Sequence, residues 1–310
     1  MNLQRGARSG FWPSRILAHR VYNEYWWAFI FLLPALVLFA LFTLYPVIFT
    51  FVLSFEQAHN FFQPAKFVGL RNYEQLFGER LWRIALVNTI IFTLATVPVR
   101  IGVALLLALL IQPLNLKLQG VFRGIFYLPA VSSAVILALV WLWIYYPTNQ
   151  GLANHLIEQV GISPQIWLGN QSLALPAVIF MVWATGEGAM VVLYGAALNN
   201  IPTTLYDAAD IDCATPWSKF AKITWPLIKP TTLYGVIIGT IGSFQVFDIV
   251  FTMTGGGPGY STRTLVYQIY SIAFLHHEFG YAAAQAVVLA FIIAILSVGL
   301  FRWLATDVEY

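Results

Sequence analysis

The sequence predicts an all-α membrane protein with six transmembrane helices. Of its 310 residues, 59% are hydrophobic and only 9% are charged, and the mean hydropathy is +0.75. Soluble domains carry about 25% charged residues, so this chain lacks the polar side chains that would cover a soluble globule of its length. Several apolar runs also exceed the roughly 20 residues that a helix needs to cross a bilayer. A soluble protein is therefore excluded.

Each of six apolar runs is long enough to cross the bilayer as a helix. Trp26 and Trp27 open the first run as an interfacial belt. The predicted spans are residues 26–51, 84–111, 121–145, 173–198, 231–253 and 282–304. No internal repeat or flexible linker separates them, so one domain is predicted over residues 26–305, between a cytoplasmic N-terminal segment at 1–25 and a C-terminal tail at 306–310.

Lysine and arginine are distributed unequally between the two sides of these spans. With the N-terminus inside, the inner side carries ten of them: Arg5, Arg8, Arg15, Arg20, Lys117, Arg123, Lys219, Lys222, Lys229 and Arg302. The outer connectors carry five: Lys66, Arg71, Arg80, Arg83 and Arg263. The positive-inside rule therefore predicts that both termini are cytoplasmic. Because the first 20 residues are polar and basic, no signal peptide is expected.

Other classes of function lack the residues that they require. The 16 basic and 13 acidic residues nearly balance, and no basic tract indicates nucleic acid binding. Cys213 is the single cysteine, which excludes an internal disulfide and a thiolate metal cluster. His276 and His277 would point about 100° apart on a helix and have no third ligand nearby, so no metal site is predicted. No catalytic Ser/His/Asp or Cys/His constellation stands out, and catalysis by this chain is not expected.

We also expect the chain to bind no ATP itself. No GxxxxGK(S/T) phosphate-binding loop occurs in it. The glycine-rich run from Gly255 to Gly259 lacks the lysine of such a loop. By the topology above this run lies outside, and we interpret it as a flexible external turn.

The connector at residues 201–230 lies on the cytoplasmic side by its charge. Thr203 can cap a short helix, and acidic residues in its first turns would favour the helix dipole. Three acidic residues occur close together: Asp207, Asp210 and Asp212. Anionic lipid would repel them, so a protein partner is favoured over a lipid-facing interfacial helix.

The stretch YDAADIDCATPWSKFAKITWPLIKP in this connector resembles the EAA loop of inner-membrane permeases of ABC importers. That pattern is Glu-Ala-Ala, three residues, Gly, and then about nine residues to Ile-x-Leu-Pro. Four marked positions match it: Ala208, Ala209, Ile223 and Pro226. Three depart from it: Asp207 for the glutamate, Cys213 for the glycine and Trp225 for the leucine.

Two further stretches are similar to the same family. Residues 122–154 resemble the third span and following loop of carbohydrate-type permeases. Residues 247–274 resemble the FD…TGGGPG…TL stretch of the maltose and glycerol-phosphate branch. The similarity runs in register from about residue 30 to residue 300. The long extra periplasmic domain of the maltose-type first subunit is absent, because the first outer loop is short.

The resemblance implies the transmembrane domain of a type I ABC importer in a bacterial inner membrane. Its partners would be a second permease subunit, two cytosolic ATPases that hold ATP and Mg, and an external substrate-binding protein. The connector helix would couple to an ATPase through Tyr206, Asp207, Ala208, Ala209, Asp212, Cys213 and Ala214. Small alanines permit close approach, and Asp207 can meet a basic residue of the partner.

Three charged residues lie well inside the predicted spans, away from their ends: Arg100, Glu187 and Asp248. A charge there costs at least roughly 2.5 kcal/mol on insertion scales. An ion pair between Arg100 and Glu187 would account for both residues. Alternatively Glu187, flanked by two glycines, lines a polar cavity where the helix is locally loosened, as in transporter sites. The sequence leaves both readings open, and they can coexist.

The fifth span contains further candidates for the solute pathway. Gln245 and Asp248 lie three residues apart, on one face of a continuous helix, with Phe244, Phe247 and Phe251 beside them. Polar groups for hydroxyls and aromatic faces for a sugar ring suit a carbohydrate pathway. The alternative is a packed aromatic stripe with one satisfied acid.

These observations predict a permease subunit for a sugar or sugar-like solute. Arg100 is the one cation well inside the spans, away from their ends, so a neutral glycoside, such as a disaccharide or a glycosyl-polyol, is favoured over a phosphate ester. A secondary transporter or channel that acts alone is the alternative. Such a carrier has no use for the connector helix, and the absence of inverted repeats also disfavours it.

Overall fold

The computed structural model describes residues 14–59, 65–186 and 188–304, and the structural statements below concern these residues. They form α-helices, three five-residue π-helical segments and a two-stranded sheet. The helices are α1 (Ser14–Phe39), α2 (Tyr45–Leu53), α3 (Arg71–Gly78), α4 (Arg80–Ile111), α5 (Leu116–Val131), α6 (Ala134–Ile144), α7 (Leu152–Glu158), α8 (Ala174–Thr185), α9 (Gly188–Asn199), α10 (Thr203–Ile211), α11 (Pro216–Lys219), α12 (Trp225–Phe244), α13 (Asp248–Met253), α14 (Leu265–Tyr270) and α15 (Phe279–Leu304). The π-helical segments are Ala40–Leu44, Phe220–Thr224 and Ser271–Leu275, and β1 (Glu56–Gln57) pairs antiparallel with β2 (Lys66–Phe67).

Four helices are long and apolar enough to cross a membrane: Trp26–Leu53, Arg80–Ile111, Pro216–Phe244 and Phe279–Trp303. Two bent helix pairs bring the number to six if each pair is one span. The chain divides into two units, residues 1–52 and 53–310. In the first unit, the π-helical segment Ala40–Leu44 joins α1 and α2 without a break, so the predicted first span is a single helix.

The third predicted span is broken, which corrects the expectation of one helix over residues 121–145. Its two halves, α5 and α6, meet at an angle of 92°. Ser132 and Ser133 between them have extended backbones, with ψ angles of 143° and 136°. Serine competes with helical hydrogen bonding, and Pro129 in the last turn of α5 weakens the helix just before the break.

The fourth predicted span bends by 44° between α8 and α9. The bend follows Gly186, whose φ of +72° lies in the left-handed region that glycine adopts without strain. Gly188, the second glycine that flanks position 187, is explained by close packing. A Cβ at Gly188 would lie 2.2 Å from the backbone oxygen of Phe126 on α5. The start of α9 therefore lies directly on the backbone of α5.

The fifth predicted span, residues 231–253, is not one helix either. Helix α12 ends at Phe244, and Gln245 and Phe247 depart from helical geometry before α13 begins at Asp248. The hydroxyl of Thr264 donates a hydrogen bond of 3.1 Å to the carbonyl of Val246, which competes with continuation of the helix. The prediction that Gln245 and Asp248 share one helix face is therefore wrong, since they belong to different helices.

Helix α4 lies at the centre of the second unit and packs against α8, α9, α12 and α14. Buried polar side chains on α4 fasten the chain that follows α13. The hydroxyl of Thr89 accepts a hydrogen bond of 3.0 Å from the backbone N–H of Leu265, at the start of α14. Asn88 donates to the carbonyls of Tyr260 and Arg263, at 2.9 and 3.1 Å. Such interhelical hydrogen bonds stabilise packing where lipid removes the hydrophobic driving force.

The glycine-rich run forms an ordered turn, and the expectation that it is flexible is wrong. Gly255, Gly256 and Gly259 have positive φ angles. The fully buried hydroxyl of Thr262 lies 2.7 Å from the hydroxyl of Thr254 and donates to the carbonyl of Gly257 at 2.8 Å. These hydrogen bonds close the turn across its base.

Candidate functional site

The connector at residues 201–230 contains the predicted short helix, α10, and then α11 and the π-helical segment that leads into α12. Two details of the prediction are wrong. Thr203 makes no capping hydrogen bond, because it is already the first residue of α10, and the capping threonine is Thr215, which accepts from Ser218 at the start of α11. The acidic residues also do not lie in the first turn of α10.

The positions of these acids are electrostatically unfavourable. Asp207 lies in the middle of α10, Asp210 in its last turn and Asp212 at its C-cap. Carboxylates near the negative end of a helix oppose its dipole. Asp210 is neutralised by an ion pair with Lys219, whereas Asp207 and Asp212 have no ion-pair partner among the described residues. Two exposed carboxylates therefore remain available to a cationic partner.

Tyr206 faces the helix bundle. Its hydroxyl lies 2.8 Å from the hydroxyl of Thr224, which is only 5% exposed. Its ring packs against the buried cluster that α4, α9 and α12 share. Together with the ion pair between Asp210 and Lys219, this contact fixes α10 to the segment that begins the fifth span.

The rest of the predicted coupling set lies at the surface of α10 or its end. Asp207, Ala208, Asp212 and Cys213 are exposed, and Ala209 and Ala214 are half-buried. Cys213 has a φ of +51°, and the backbone N–H of Ala214 donates to the carbonyl of Ala209 at 2.9 Å. These are the features of a Schellman helix end, in which glycine usually takes the left-handed position. The cysteine therefore makes the turn at which the EAA pattern has glycine.

Two apolar side chains on this surface were not predicted. Ile211 is 85% exposed, and Trp217 is 74% exposed. They flank the exposed acids, so the surface combines apolar area with charge, which suits a protein partner. Their position within the EAA-like stretch was the one signal in the sequence, and their hydrophobicity alone would have favoured burial.

The predicted pathway residues are only partly brought together. Phe247 and Phe251 stack at 5.3 Å, and Tyr270 lies 5.0 Å from Phe247, between ring centroids. Tyr270 was not predicted, because it reaches the group from α14. Phe244 is 4% exposed and packs instead in a core cluster with residues of α3 and α4. Its place beside Phe247 in the prediction depended on a continuous helix.

Gln245 and Asp248 are exposed close to this aromatic group, one on each side of the helix break. Arg100 lines a separate cavity of about 270 Å³ between α4, α9 and α12, with Tyr234 and Gly239 in its walls. Glu187 lies outside the described residues, so its pairing with Arg100 stays a prediction. Within the part of the chain that the structure describes, no group of three His, Cys, Asp or Glu side chains could hold a metal ion.

Arg263 is a buried charge in the loop between α13 and α14. Its guanidinium lies 5.4 Å from the ring of Tyr260 and 5.6 Å from that of Tyr267, and it donates a hydrogen bond to Gln268. Burial lowers the pKa of Arg263, while Tyr267, Tyr260 and Glu79 act in the opposite direction. The cation fixes the loop that closes over the N-terminal end of α4.

Comparison with known proteins identifies the family of this chain. Residues 101–310 match the family described as binding-protein-dependent transport system inner membrane component, over more than half of the chain. The chain belongs to this family. The permease is 35% identical over 289 residues to the lactose transport system permease protein LacF of Rhizobium radiobacter, across 92% of this chain and 95% of the relative.

A second relative is the arabinooligosaccharides transport system permease protein AraP of Bacillus subtilis. It is 33% identical over 270 residues, across 87% of the permease and 85% of the relative. The fold matches a chain in the crystal structure of a bacterial ABC transporter that imports the acidic polysaccharide alginate. The TM-score is 0.80 at 22% identity, over 94% of the permease and 99% of that chain. The last comparison shows the fold alone.

Proposed function

We propose that this permease is one transmembrane subunit of an ATP-driven, binding-protein-dependent importer of a neutral glycoside. The relatives named for lactose and arabinooligosaccharides support a sugar-like solute. The observation that carries the proposal is α10, a helix fixed to the base of a span while it presents unpaired carboxylates and exposed apolar side chains. A carrier without an ATPase would have no need of such a surface.

In the proposed topology each bent pair is one span, which gives six spans with both termini in the cytoplasm. The excess of lysine and arginine on the inner connectors supports this orientation. It places α10 on the cytosolic side, where two ATPase subunits would bind ATP and Mg. It places the ordered glycine-rich turn outside, on the side of the substrate-binding protein. A second permease subunit would complete the pathway.

The geometry supports a lever mechanism. Closure of the ATPases on ATP would move α10, and the contacts of Tyr206 and Asp210 would pass that movement to the start of the fifth span. The spans would then change from inward-facing to outward-facing while the loaded binding protein is docked. Phe247, Gln245 and Asp248 would meet the sugar near the break in the fifth span. The permease itself makes and breaks no covalent bond in this scheme.

The decisive experiment is reconstitution. The permease, a second permease subunit and the ATPases are placed in proteoliposomes, and uptake of radiolabelled lactose, arabinobiose and glycerol 3-phosphate is measured with and without ATP and binding protein. ATP- and binding-protein-dependent uptake of a neutral sugar is the expected result. Uptake by the permease alone, driven by an ion gradient, would instead show the secondary transporter.

Replacing Tyr206 by phenylalanine tests the lever. The ring packing is kept, and only the hydrogen bond to Thr224 is lost, which contributes about 0.5–1.5 kcal/mol. We expect normal assembly and normal basal ATP hydrolysis, but about two- to tenfold less sugar moved per ATP. Tyr146→Phe, at an exposed tyrosine just after α6, is the matched control. Equal sugar-to-ATP ratios in the wild type and Tyr206→Phe would show that this hydrogen bond does not transmit the movement of α10.

Replacing Gln245 by leucine tests the pathway. Leucine has a similar volume but cannot bond a sugar hydroxyl, and loss of one such bond costs about 0.5–1.5 kcal/mol. We expect uptake to fall roughly three- to tenfold, with a changed order of preference among labelled glycosides. Gln75→Leu, at an exposed glutamine on α3, should leave both quantities unchanged. An unaltered rate and preference order in Gln245→Leu would exclude contact with the solute.

A further inference from the structure

A groove lined by two arginines opens at the N-terminal end of α4. Two adjoining cavities, of about 380 and about 510 Å³, share Arg80, Ile84 and Asn88 in their walls. Arg83 lines the larger cavity. The smaller one is completed by loop residues from elsewhere in the chain: Gln171, Gly259, Tyr260 and Ser261. We name the two cavities together the arginine groove.

The walls of the arginine groove are held in place. Asn88 donates hydrogen bonds to the carbonyls of Tyr260 and Arg263, which fix the loop after α13 to α4. Gly259 lies so close to Gln171 that a Cβ would be 3.1 Å from its side-chain nitrogen. Three chain segments therefore meet in a preformed shape, which reduces the entropy lost when a ligand binds.

The cations of the groove have no counter-ion in the described part of the chain. Arg80 and Arg83 are exposed, and neither forms an ion pair there. The neighbouring acid, Glu79, accepts a hydrogen bond from the hydroxyl of Tyr281. In the wall, the hydroxyl oxygen of Ser261 is buried and has no hydrogen-bond partner. Buried polar groups of this kind are normally hydrogen-bonded, so Ser261 places an unused hydroxyl in the wall of the groove.

We propose that the arginine groove binds an acidic surface segment of the external substrate-binding protein. The proposal rests on the function proposed above, because that topology places this end of α4 outside. Arginine pairs with carboxylates through two parallel hydrogen bonds, so each guanidinium fits an Asp or Glu side chain. Two adjoining cavities suit a run of side chains better than one sugar ring. A neutral glycoside would leave both charges without a counter-ion.

The test uses the reconstituted complex and the double variant R80E/R83E. The probe is the binding protein whose addition stimulates ATP hydrolysis by the wild-type complex, titrated at 50 and 300 mM NaCl. The concentration for half-maximal stimulation should rise at least about tenfold, with basal and maximal rates unchanged. The rise of this concentration between 50 and 300 mM NaCl should also shrink or reverse, because screening would then act on repelling carboxylates and not on charge pairs. R71E, at an exposed arginine on α3 outside the groove, should behave as the wild type.

Other outcomes separate the two proposals. A wild-type complex that no binding protein stimulates would refute the proposed function itself. A stimulated wild type with an unchanged half-maximal concentration and salt dependence in R80E/R83E would overturn the groove assignment alone. The assignment would also be overturned if the double variant lost only the uptake of an anionic sugar at saturating binding protein, since the groove would then bind solute.

Discussion

Uptake should fall at least about 30-fold when Asp207 is replaced by lysine. In the proposed contact with an ATPase, the reversed charge would put two cations together, and losing one partner of an interfacial charge pair costs about 2–5 kcal/mol. Asp207 is exposed on α10 and forms no ion pair within residues 14–59, 65–186 and 188–304, so we expect its replacement to leave the fold intact. The variant should insert and bind the second subunit normally. ATP hydrolysis should then no longer respond to the binding protein.

The measurement is labelled sugar uptake and ATP hydrolysis by the same proteoliposomes. Glu158→Lys carries the same charge reversal on α7 and should transport normally, because by the proposed topology it lies on the other side of the membrane. Asp207→Asn separates charge from shape and should give an intermediate rate. Full, binding-protein-stimulated uptake by Asp207→Lys would show that this helix does not couple to an ATPase through its charge.

Replacing Gly188 by valine should prevent assembly of the permease. Its Cβ would lie 2.2 Å from the carbonyl oxygen of Phe126 and 2.6 Å from the Cα of Tyr127, and these backbone atoms cannot rotate away. Overpacking a well-packed contact costs about 1–3 kcal/mol when side chains can adjust, and more is expected here. The yield of detergent-solubilised permease in the monodisperse peak should fall several-fold.

Gly124 offers a matched control on the other helix of the same pair. Nothing lies within 4 Å of a Cβ built there, so Gly124→Val should give a wild-type yield. The yield of Gly188→Ala should lie between those of the two valine variants, because its single methyl group already contacts the α5 backbone. A normal elution profile for Gly188→Val would mean that α5 and α9 do not pack as described.

Long helices were the most predictable part of this fold. The spans predicted at residues 84–111 and 282–304 match α4 and α15 to within four residues at each end. Their signal is an uninterrupted apolar run, which depends on no distant residue. The breaks were not predicted, because they depend on local competition and long-range contacts. The carbonyl of Val246 accepts a hydrogen bond from the hydroxyl of Thr264, 18 residues further along the chain. No local sequence pattern reveals that these two residues are close.

In the candidate site, too, local features were predicted from the sequence and features that depend on distant residues were not. The connector helix itself was predicted from the residue pattern after Pro202, and α10 occupies Thr203–Ile211 with Asp207 and Ala208 exposed on it. The direction of Tyr206 could not be predicted, because it is set by Thr224 and by a cluster built from three other helices. The predicted position of Phe244 was wrong. The sequence indicated Phe244 beside Phe247 and Phe251 on one continuous helix, whereas α12 ends at Phe244 and its side chain packs in the core.

The helix end at Cys213 also provides a spectroscopic handle. This residue is the single cysteine of the chain, its thiol is exposed, and it lies where α10 ends. A maleimide fluorophore would therefore attach to the wild-type permease at one position, without any engineered cysteine. Because Cys213 belongs to the predicted coupling set, its labelling rate should fall when the ATPases bind, so occupancy of this surface can be followed in the native sequence.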